Sequence, residues 1–158
     1  MISSSDNLII EEELLPLVRE RLEAGFKVRY LPFCGVSMMP LLRQGIDAVE
    51  IGPLPDKLKK YDLPVYCTDR GRYIMHRVVD VKDDHYIILG DNTYRYEYIR
   101  HDQMLGIVTT IKRGNKLIPV TSRGYRAYSR IWCAIYPLRK LLRNTLLRIK
   151  QVLRRLLK

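Results

Sequence analysis

Residues 104–120 read MLGIVTTIKRGNKLIPV, two apolar runs separated by the dipeptide Gly114-Asn115. β-Branched residues are frequent in both runs, and such residues favour strands. A Gly-Asn pair between two strand-like runs is typical of a tight β-hairpin turn. The stretch therefore predicts two antiparallel strands joined by a two-residue loop.

Similar short runs occur upstream of this hairpin, and turn-forming residues separate them. Several short strands without intervening helices are typical of an all-β architecture. We therefore predict a mainly β domain over residues 27–121, built as a coiled β-sandwich or barrel. The runs are KVRYLPF (27–33), DAVEIG (47–52), LPVYC (63–67), YIMHRVV (73–79) and HYIILG (85–90).

Helical periodicity is found on both sides of this strand-rich region. Residues 8–24 predict an N-terminal helix, although Pro16 should break or kink it. After the β domain, a short helix is expected at about 123–135 and a longer one at 137–158, where proline suits the first turn. The expected division is an N-terminal helical segment (1–26), a β domain (27–121) and a helical tail (122–158).

The positive charge of the chain is concentrated in its last third. The net charge is +11, and all 17 acidic residues precede residue 103, whereas 14 of the 28 Lys and Arg residues follow residue 102. A cationic amphipathic helix can lie on an anionic membrane, dock on a protein core, or bind nucleic-acid phosphates. We expect an anionic membrane surface as the partner of residues 137–158, and we do not expect nucleic acid.

The N-terminus and the cysteines indicate where the protein resides. The first residues, MISSSDNLIIEEELL, are acidic where a secretory signal is basic and then apolar. The longest uncharged apolar stretch, 131–138, is much shorter than the ~20 residues of a spanning helix. Cys34, Cys67 and Cys133 lack metal-ligand spacing and are interpreted as free thiols. We expect a cytoplasmic or peripherally membrane-associated protein without transmembrane helix, signal peptide, metal or cofactor.

Three polar residues within the β domain are candidates for chemistry. Ser37 lies in the segment GVSMMP (35–40), and a serine hydroxyl needs a base before it becomes a good nucleophile. His76, inside the apolar run YIMHRVV, is a candidate for that base, since histidine accepts protons near neutral pH. Asp91, in Gly-Asp-Asn after HYIIL, is a candidate for the acid that orients the histidine, and Asp102 is the alternative. Each residue also has a purely structural interpretation, as a turn serine, a core histidine or a turn aspartate.

The order and spacing of these residues resemble the type I signal peptidases of the endoplasmic-reticulum type and, more distantly, the LexA-like self-cleaving repressors. The family pattern is Gly-x-Ser-Met-x-Pro followed by Gly-Asp-x-Val-x-Ile. The resemblance extends over about residues 30–111. Its matching pieces are GVSMMPLLRQGIDAVEI, LKKYDLPVY, MHRVVDV, YIILGDN and MLGIVTTI.

The resemblance implies a signal-peptidase-like β core and a role for each matching residue. Ser37 would be the nucleophile, His76 the general base and Asp91 the supporting acid. The backbone N–H of Ser37 would belong to the oxyanion hole, and Met38 and Met39 would contact the substrate. Bacterial-type relatives and the repressors have lysine as the base, whereas this chain has histidine at the matching position.

Two features of the sequence depart from the family. Members of the endoplasmic-reticulum type usually carry a membrane-spanning anchor, which we do not expect here, and Lys60-Tyr61-Asp62-Leu63 replaces the usual Gly-Asp. The implied function is a serine endopeptidase that removes a signal peptide from a preprotein. The alternatives are a cytoplasmic leader peptidase of a modified-peptide pathway and a catalytically inactive relative that binds peptide or membrane.

Overall fold

The computed structural model describes residues 14–32 and 34–156 of the chain. Within these residues there are three α-helices, two antiparallel β-sheets and a short 3-10 helix at His101–Gln103. In chain order the elements are α1 (Leu15–Glu23), β1 (Val28–Pro32), β2 (Asp47–Gly52), β3 (Pro64–Cys67), β4 (Tyr73–Met75), β5 (Arg77–Val81), β6 (His85–Leu89), β7 (Glu97–Arg100), β8 (Met104–Arg113), β9 (Lys116–Pro119), α2 (Arg123–Ala134) and α3 (Tyr136–Leu156).

The larger sheet is organised around β8, which pairs with β2, β3 and β9. Its strand order is β1-β2-β8-β3-β4, with β9 beside β8. The predicted hairpin is confirmed, because Arg113 pairs with Lys116 across the two-residue loop. Gly114 in that loop has a φ of +58°, a conformation that residues with a Cβ rarely adopt.

The smaller sheet has the order β5-β6-β7, and the chain passes into it at His76. The sequence predicts one continuous strand over 73–79, but β4 ends at Met75 and β5 begins at Arg77. The partners of β5 differ from those of β4, since Val78 exchanges backbone hydrogen bonds with Tyr61 and Asp62 on one side and pairs with β6 on the other. His76 therefore lies at the crossover between the two sheets.

Two clusters of buried apolar side chains hold these layers together. The first lies between the larger sheet, α1, α2 and the loop after β1; its members include Val18, Leu22, Met38, Leu42, Val49, Ile51, Val65, Val108, Ile111 and Tyr125. The second lies against the smaller sheet; its members are Leu58, Tyr66, Ile74, Val78, Tyr86, Ile88, Ile99 and Met104. The loop that carries Ser37 and the strands that flank His76 are thus anchored in packed cores.

The helices follow the sequence prediction closely. Helix α1 has Pro16 in its first turn, where a missing N–H is tolerated, and residues 8–13 of the predicted helix lie outside the described residues. Helices α2 and α3 correspond to the two predicted tail helices, and Ser122 caps α2 by accepting the Tyr125 N–H. None of the described helices is long and apolar enough to cross a membrane.

The expectation of a mainly β chain is met only in part. The described residues form a mixed structure, in which helices contribute about as many residues as strands. The reason is the length of the helical tail, because α2 and α3 together occupy nearly all of residues 123–156.

Candidate active site

Ser37 lies in the loop between β1 and β2 and is buried. Gly35 begins this loop with a φ of +101°, in the region that favours glycine. The Met39 N–H donates to the Val36 carbonyl at 3.1 Å and closes a turn around the serine. Asn92 holds the same turn from outside, because its N–H donates to the Ser37 carbonyl at 2.6 Å and its Nδ2 to the Val36 carbonyl at 3.1 Å. The backbone of Ser37 is therefore fixed on two sides.

His76 is buried at the sheet crossover, and its Nδ1 contacts two side chains that are also hydrogen-bonded to each other. Its Nδ1 lies 3.0 Å from Glu97 Oε1 and 3.0 Å from the Tyr66 hydroxyl. That hydroxyl in turn donates to Glu97 Oε2 at 2.7 Å. Three side chains from β3, β7 and the crossover thus contact one another in a ring.

This ring determines which nitrogen of His76 carries the proton. A carboxylate only accepts hydrogen bonds, and the proton of Tyr66 is already directed to Glu97. The proton between His76 and Glu97 must therefore reside on Nδ1, and in the neutral form of the ring it is then Nε2 that carries the lone pair. A neutral histidine with a free Nε2 is the form that a general base requires.

The Nε2 atom of His76 is directed toward the turn after β6. It is buried and has no hydrogen-bond partner among the described residues. A Cβ at Gly90 would lie only 2.9 Å from this nitrogen, so the absence of a side chain at residue 90 allows the ring to approach the backbone. Two residues later in the same turn, Asn92 binds the Ser37 carbonyl. The turn 90–92 therefore contacts both the histidine and the serine segment.

Asp91 lies in this turn, but the structure does not bring its carboxylate to His76 as the sequence prediction expected. Its two oxygens accept hydrogen bonds from Arg77 Nε and Nη2, both at 2.8 Å, and the Tyr128 hydroxyl donates to Oδ2 at 2.9 Å. The alternative acid, Asp102, is exposed and pairs with Arg100. The carboxylate at His76 is Glu97, which the sequence prediction missed.

Glu97 reaches His76 because of the register of the smaller sheet, where it pairs with Ile88 of β6. Burial alone would raise the pKa of Glu97, but the hydrogen bonds from His76 and Tyr66, with the positive charge of Arg72, lower it below its usual value. Burial and the adjacent Glu97 charge raise the pKa of Tyr66, so its proton is retained. The one sequence signal for Glu97 is the short alternating run YEYIR (96–100), which is typical of another strand after HYIIL.

The Arg77–Asp91 pair is fully enclosed and tied to the helical tail. Arg77 has no exposed surface, and its Nη1 donates to the Tyr125 hydroxyl at 3.0 Å and to Ser129 Oγ at 2.7 Å. The strong attraction of Asp91 raises the pKa of Arg77 despite burial, which acts in the opposite direction. The Asp91 carbonyl also accepts hydrogen bonds from Trp132 Nε1 at 2.9 Å and from Arg139 Nη1 at 2.6 Å.

The two methionines predicted to contact substrate are placed differently. Met38 is fully buried in the first core cluster and so has no surface to offer a substrate. Met39 is 40% exposed beside Ser37. The side chain of Met38 instead anchors the serine loop in the core.

No metal site accompanies these residues. Within residues 14–32 and 34–156, no group of three His, Cys, Asp or Glu side chains is arranged to hold a metal ion. Cys34, Cys67 and Cys133 are free thiols.

Comparison of the chain with protein-family models, with curated proteins and with solved structures gives no match.

Proposed function

We propose that the protein is a serine endopeptidase with a signal-peptidase-like core. Ser37 is the nucleophile, His76 is the general base, and Glu97 is the residue that positions the base. The observation that carries this proposal is the set of contacts around the His76 ring. Its Nδ1 is held by Glu97 and Tyr66, and its Nε2 is turned toward the tight turn that also fixes the Ser37 backbone.

The reaction follows from these positions. His76 Nε2 takes the proton of the Ser37 hydroxyl as Oγ bonds to the carbonyl carbon of the scissile peptide. The imidazolium then donates this proton to the departing amine as the C–N bond breaks, which leaves an acyl-serine. Water then attacks the acyl carbon and gives a proton to His76. The imidazolium returns this proton to Ser37 Oγ as the ester C–O bond breaks, which releases the second product and restores the free serine. Glu97 stabilises the imidazolium in both halves of the reaction.

The oxyanion formed during the attack would be bound by backbone donors. The Ser37 N–H is the first of these in our proposal, and Gly35 supplies no side-chain hydroxyl two residues before the nucleophile. The turn from Val36 to Met39 and the Asn92 bond hold this peptide unit in place before substrate arrives. Such preorganised donors avoid the cost of reorientation during the reaction.

The position of the two residues relative to the larger sheet supports a peptide substrate. Strands β1 and β4 are its two outer strands; Ser37 follows the end of β1, and His76 directly follows β4. Since both residues contact the turn 90–92, the two edges of the sheet converge there. An outer strand offers unpaired backbone groups to an extended peptide. We therefore propose an extended signal or leader segment as substrate.

The test is cleavage of a proteome-derived peptide library, with new termini identified by mass spectrometry. The wild-type protein should generate termini that Ser37→Ala and His76→Ala, prepared in parallel, do not. Equal sets of termini from the wild-type protein and Ser37→Ala would contradict the proposal. Retention of library peptides without any cleavage would instead identify a peptide-binding protein.

A further inference from the structure

The apolar side of α3 is not covered by the rest of the described chain. Every residue from 140 to 155 is exposed, a length of about 24 Å at 1.5 Å per residue. Seven large apolar residues on this helix are between 50% and 66% exposed; they are Leu138, Leu141, Leu142, Leu146, Ile149, Val152 and Leu153. We call these seven residues the apolar stripe.

The stripe occupies one face of the helix. On the rest of the helix surface, all charged residues are Lys or Arg. Its members recur at intervals of three and four residues, which places them on one side. The exposed Lys and Arg residues lie on the remaining surface, and no acidic residue occurs after Asp102. Helix α3 contacts the body of the protein through two of its cations, since Arg139 binds the Asp91 carbonyl and Arg143 stacks on Tyr94 with 4.4 Å between its Cζ and the ring centroid.

We propose that α3 docks on the surface of an anionic lipid bilayer. The apolar stripe enters the boundary between head groups and acyl chains, and the cations beside it contact anionic head groups. A helix with a large apolar face, a cationic polar face and low overall hydrophobicity is the type that lies in this interface. An anionic bilayer satisfies both the stripe and the uncompensated charge.

A second copy of this chain and nucleic acid each meet only one of these two requirements. A second copy of α3 would cover the stripe but would bring two sets of cations together without any acid to compensate them. Nucleic acid would neutralise the cations through its phosphates but would leave the stripe in water. In addition, a helix without packing partners is only marginally stable in water, and burial of its apolar face would stabilise it.

The attachment of α3 links the bilayer to the candidate active site. Arg139, in the first turns of α3, donates to the Asp91 carbonyl, and the next residue, Asn92, holds the Ser37 carbonyl. Docking would therefore keep Ser37 close to the membrane surface, where a membrane-bound precursor peptide presents its cleavage site. This last consequence rests on the proposed peptidase function, whereas the docking itself does not.

The experiment is sedimentation of the full chain with vesicles of phosphatidylcholine and with vesicles containing 30% phosphatidylglycerol. We expect binding to the anionic vesicles alone, weakened by raising the salt concentration. Leu146→Gln removes a stripe residue and should lower the partition coefficient about tenfold. Leu147→Gln is the matched control, since this neighbouring leucine lies off the stripe, and it should change binding much less. Arg148→Gln/Arg155→Gln should lower binding by about fivefold per charge.

Three outcomes would overturn the docking proposal. They are equal binding to neutral and anionic vesicles, equal effects of Leu146→Gln and Leu147→Gln, and binding of duplex DNA in place of vesicles. The substituted residues are exposed, so unchanged thermal unfolding midpoints would show that the fold is retained. Ser37→Ala should bind vesicles as the wild-type protein does. Absence of library cleavage by the wild-type protein with vesicle binding intact would count against the peptidase alone, and cleavage by the wild-type protein without vesicle binding would count against docking alone.

Discussion

The carboxylates of Glu97 and Asp91 serve different purposes at the scale of single residues. Glu97 is 31% exposed and holds the Nδ1 proton of the histidine. Asp91 is buried and neutralises Arg77, which has no exposed surface. Because the first acid contacts the base and the second contacts a structural cation, their removal should have separable effects on rate and on stability.

Replacement of Glu97 by glutamine should lower kcat about 100-fold or more, because an amide cannot stabilise the imidazolium as a carboxylate does. KM should change by less than about threefold, since Glu97 acts through His76 and does not bind substrate. Glu97→Asp should recover part of the rate. The measurement is steady-state cleavage of the best peptide from the library, with Asp102→Asn as the control acid. A larger loss from Asp102→Asn than from Glu97→Gln would contradict the assignment.

Replacement of Asp91 by alanine should instead destabilise the fold by about 3–5 kcal/mol, because it leaves the buried Arg77 charge without a partner. Urea unfolding of the wild-type protein and the variant measures this difference. Removal of both charges in Arg77→Met/Asp91→Asn should restore part of the stability, since the isolated charge is then gone. If Asp91→Ala loses activity but keeps the free energy of unfolding of the wild-type protein, Asp91 has a catalytic and not a structural role.

At the scale of elements, α2 and α3 hold the turn on which the candidate site depends. Trp132 of α2 and Arg139 of α3 both donate to the Asp91 carbonyl, and the Arg139 guanidinium carbon lies 4.1 Å from the centroid of the Trp132 ring. The Tyr128 ring stacks on the Trp132 ring, with 5.6 Å between the two centroids. The helical tail is therefore part of the framework that positions the serine segment and the histidine.

Substitution of Trp132 by phenylalanine tests this framework, because it removes one N–H donor and keeps an aromatic ring. A single hydrogen bond contributes about 1 kcal/mol. If losing it displaces the turn 90–92 at that cost, kcat should fall about fivefold. The thermal unfolding midpoint should fall by only a few degrees. Ile131→Ala, at an exposed residue of the same helix, is the control. Equal kcat in both variants would show that the tail does not position the site.

Some elements and contacts of this fold are predictable from the sequence, and others are not. Periodicity predicts the β8–β9 hairpin and both tail helices, because local spacing determines them. It does not predict the break at His76, since a strand that ends and one that continues share the same alternation. Glu97 is missed because its contact with His76, 21 residues earlier, depends on the combined registers of β5 with β6 and of β6 with β7. An amphipathic tail helix is predicted from the sequence. The exposure of its apolar stripe is not, because it depends on whether the rest of the chain packs against that face.

At the scale of the whole molecule, acid should weaken the fold. Burial acts to raise the pKa of Asp47, but hydrogen bonds from Arg43 and the charge of Arg113 lower it below its usual value. The Lys27 hydrogen bond lowers the pKa of Glu50 in the same direction, against the effect of burial. A carboxyl with a lowered native pKa contributes stability above its unfolded pKa of about 4, and this contribution is lost as pH falls through the native pKa.

We therefore expect the free energy of unfolding to be nearly constant from about pH 7 to 5 and to fall below that range. Asp47→Asn should make the acid loss shallower, because one of the lowered carboxyls is gone. Asp62 provides a control in which the pH effect on stability is reversed. Burial raises its pKa, so the native state binds its proton more tightly than the unfolded state does. Asp62→Asn should make the acid loss steeper. Urea unfolding at several pH values measures both slopes, and equal slopes in the two variants would contradict this account.

Strand β8 has a consequence for protein synthesis. Strands β1 and β2 pair locally, as do β3 and β4, but in the larger sheet the two pairs meet only through β8. Ser37 follows the first pair and His76 follows the second. A nascent chain that has not yet released residues 104–113 from the ribosome therefore holds Ser37 and His76 on two halves of the larger sheet that are not yet joined. We expect enzymatic competence to be acquired late in translation, when this central strand joins the halves.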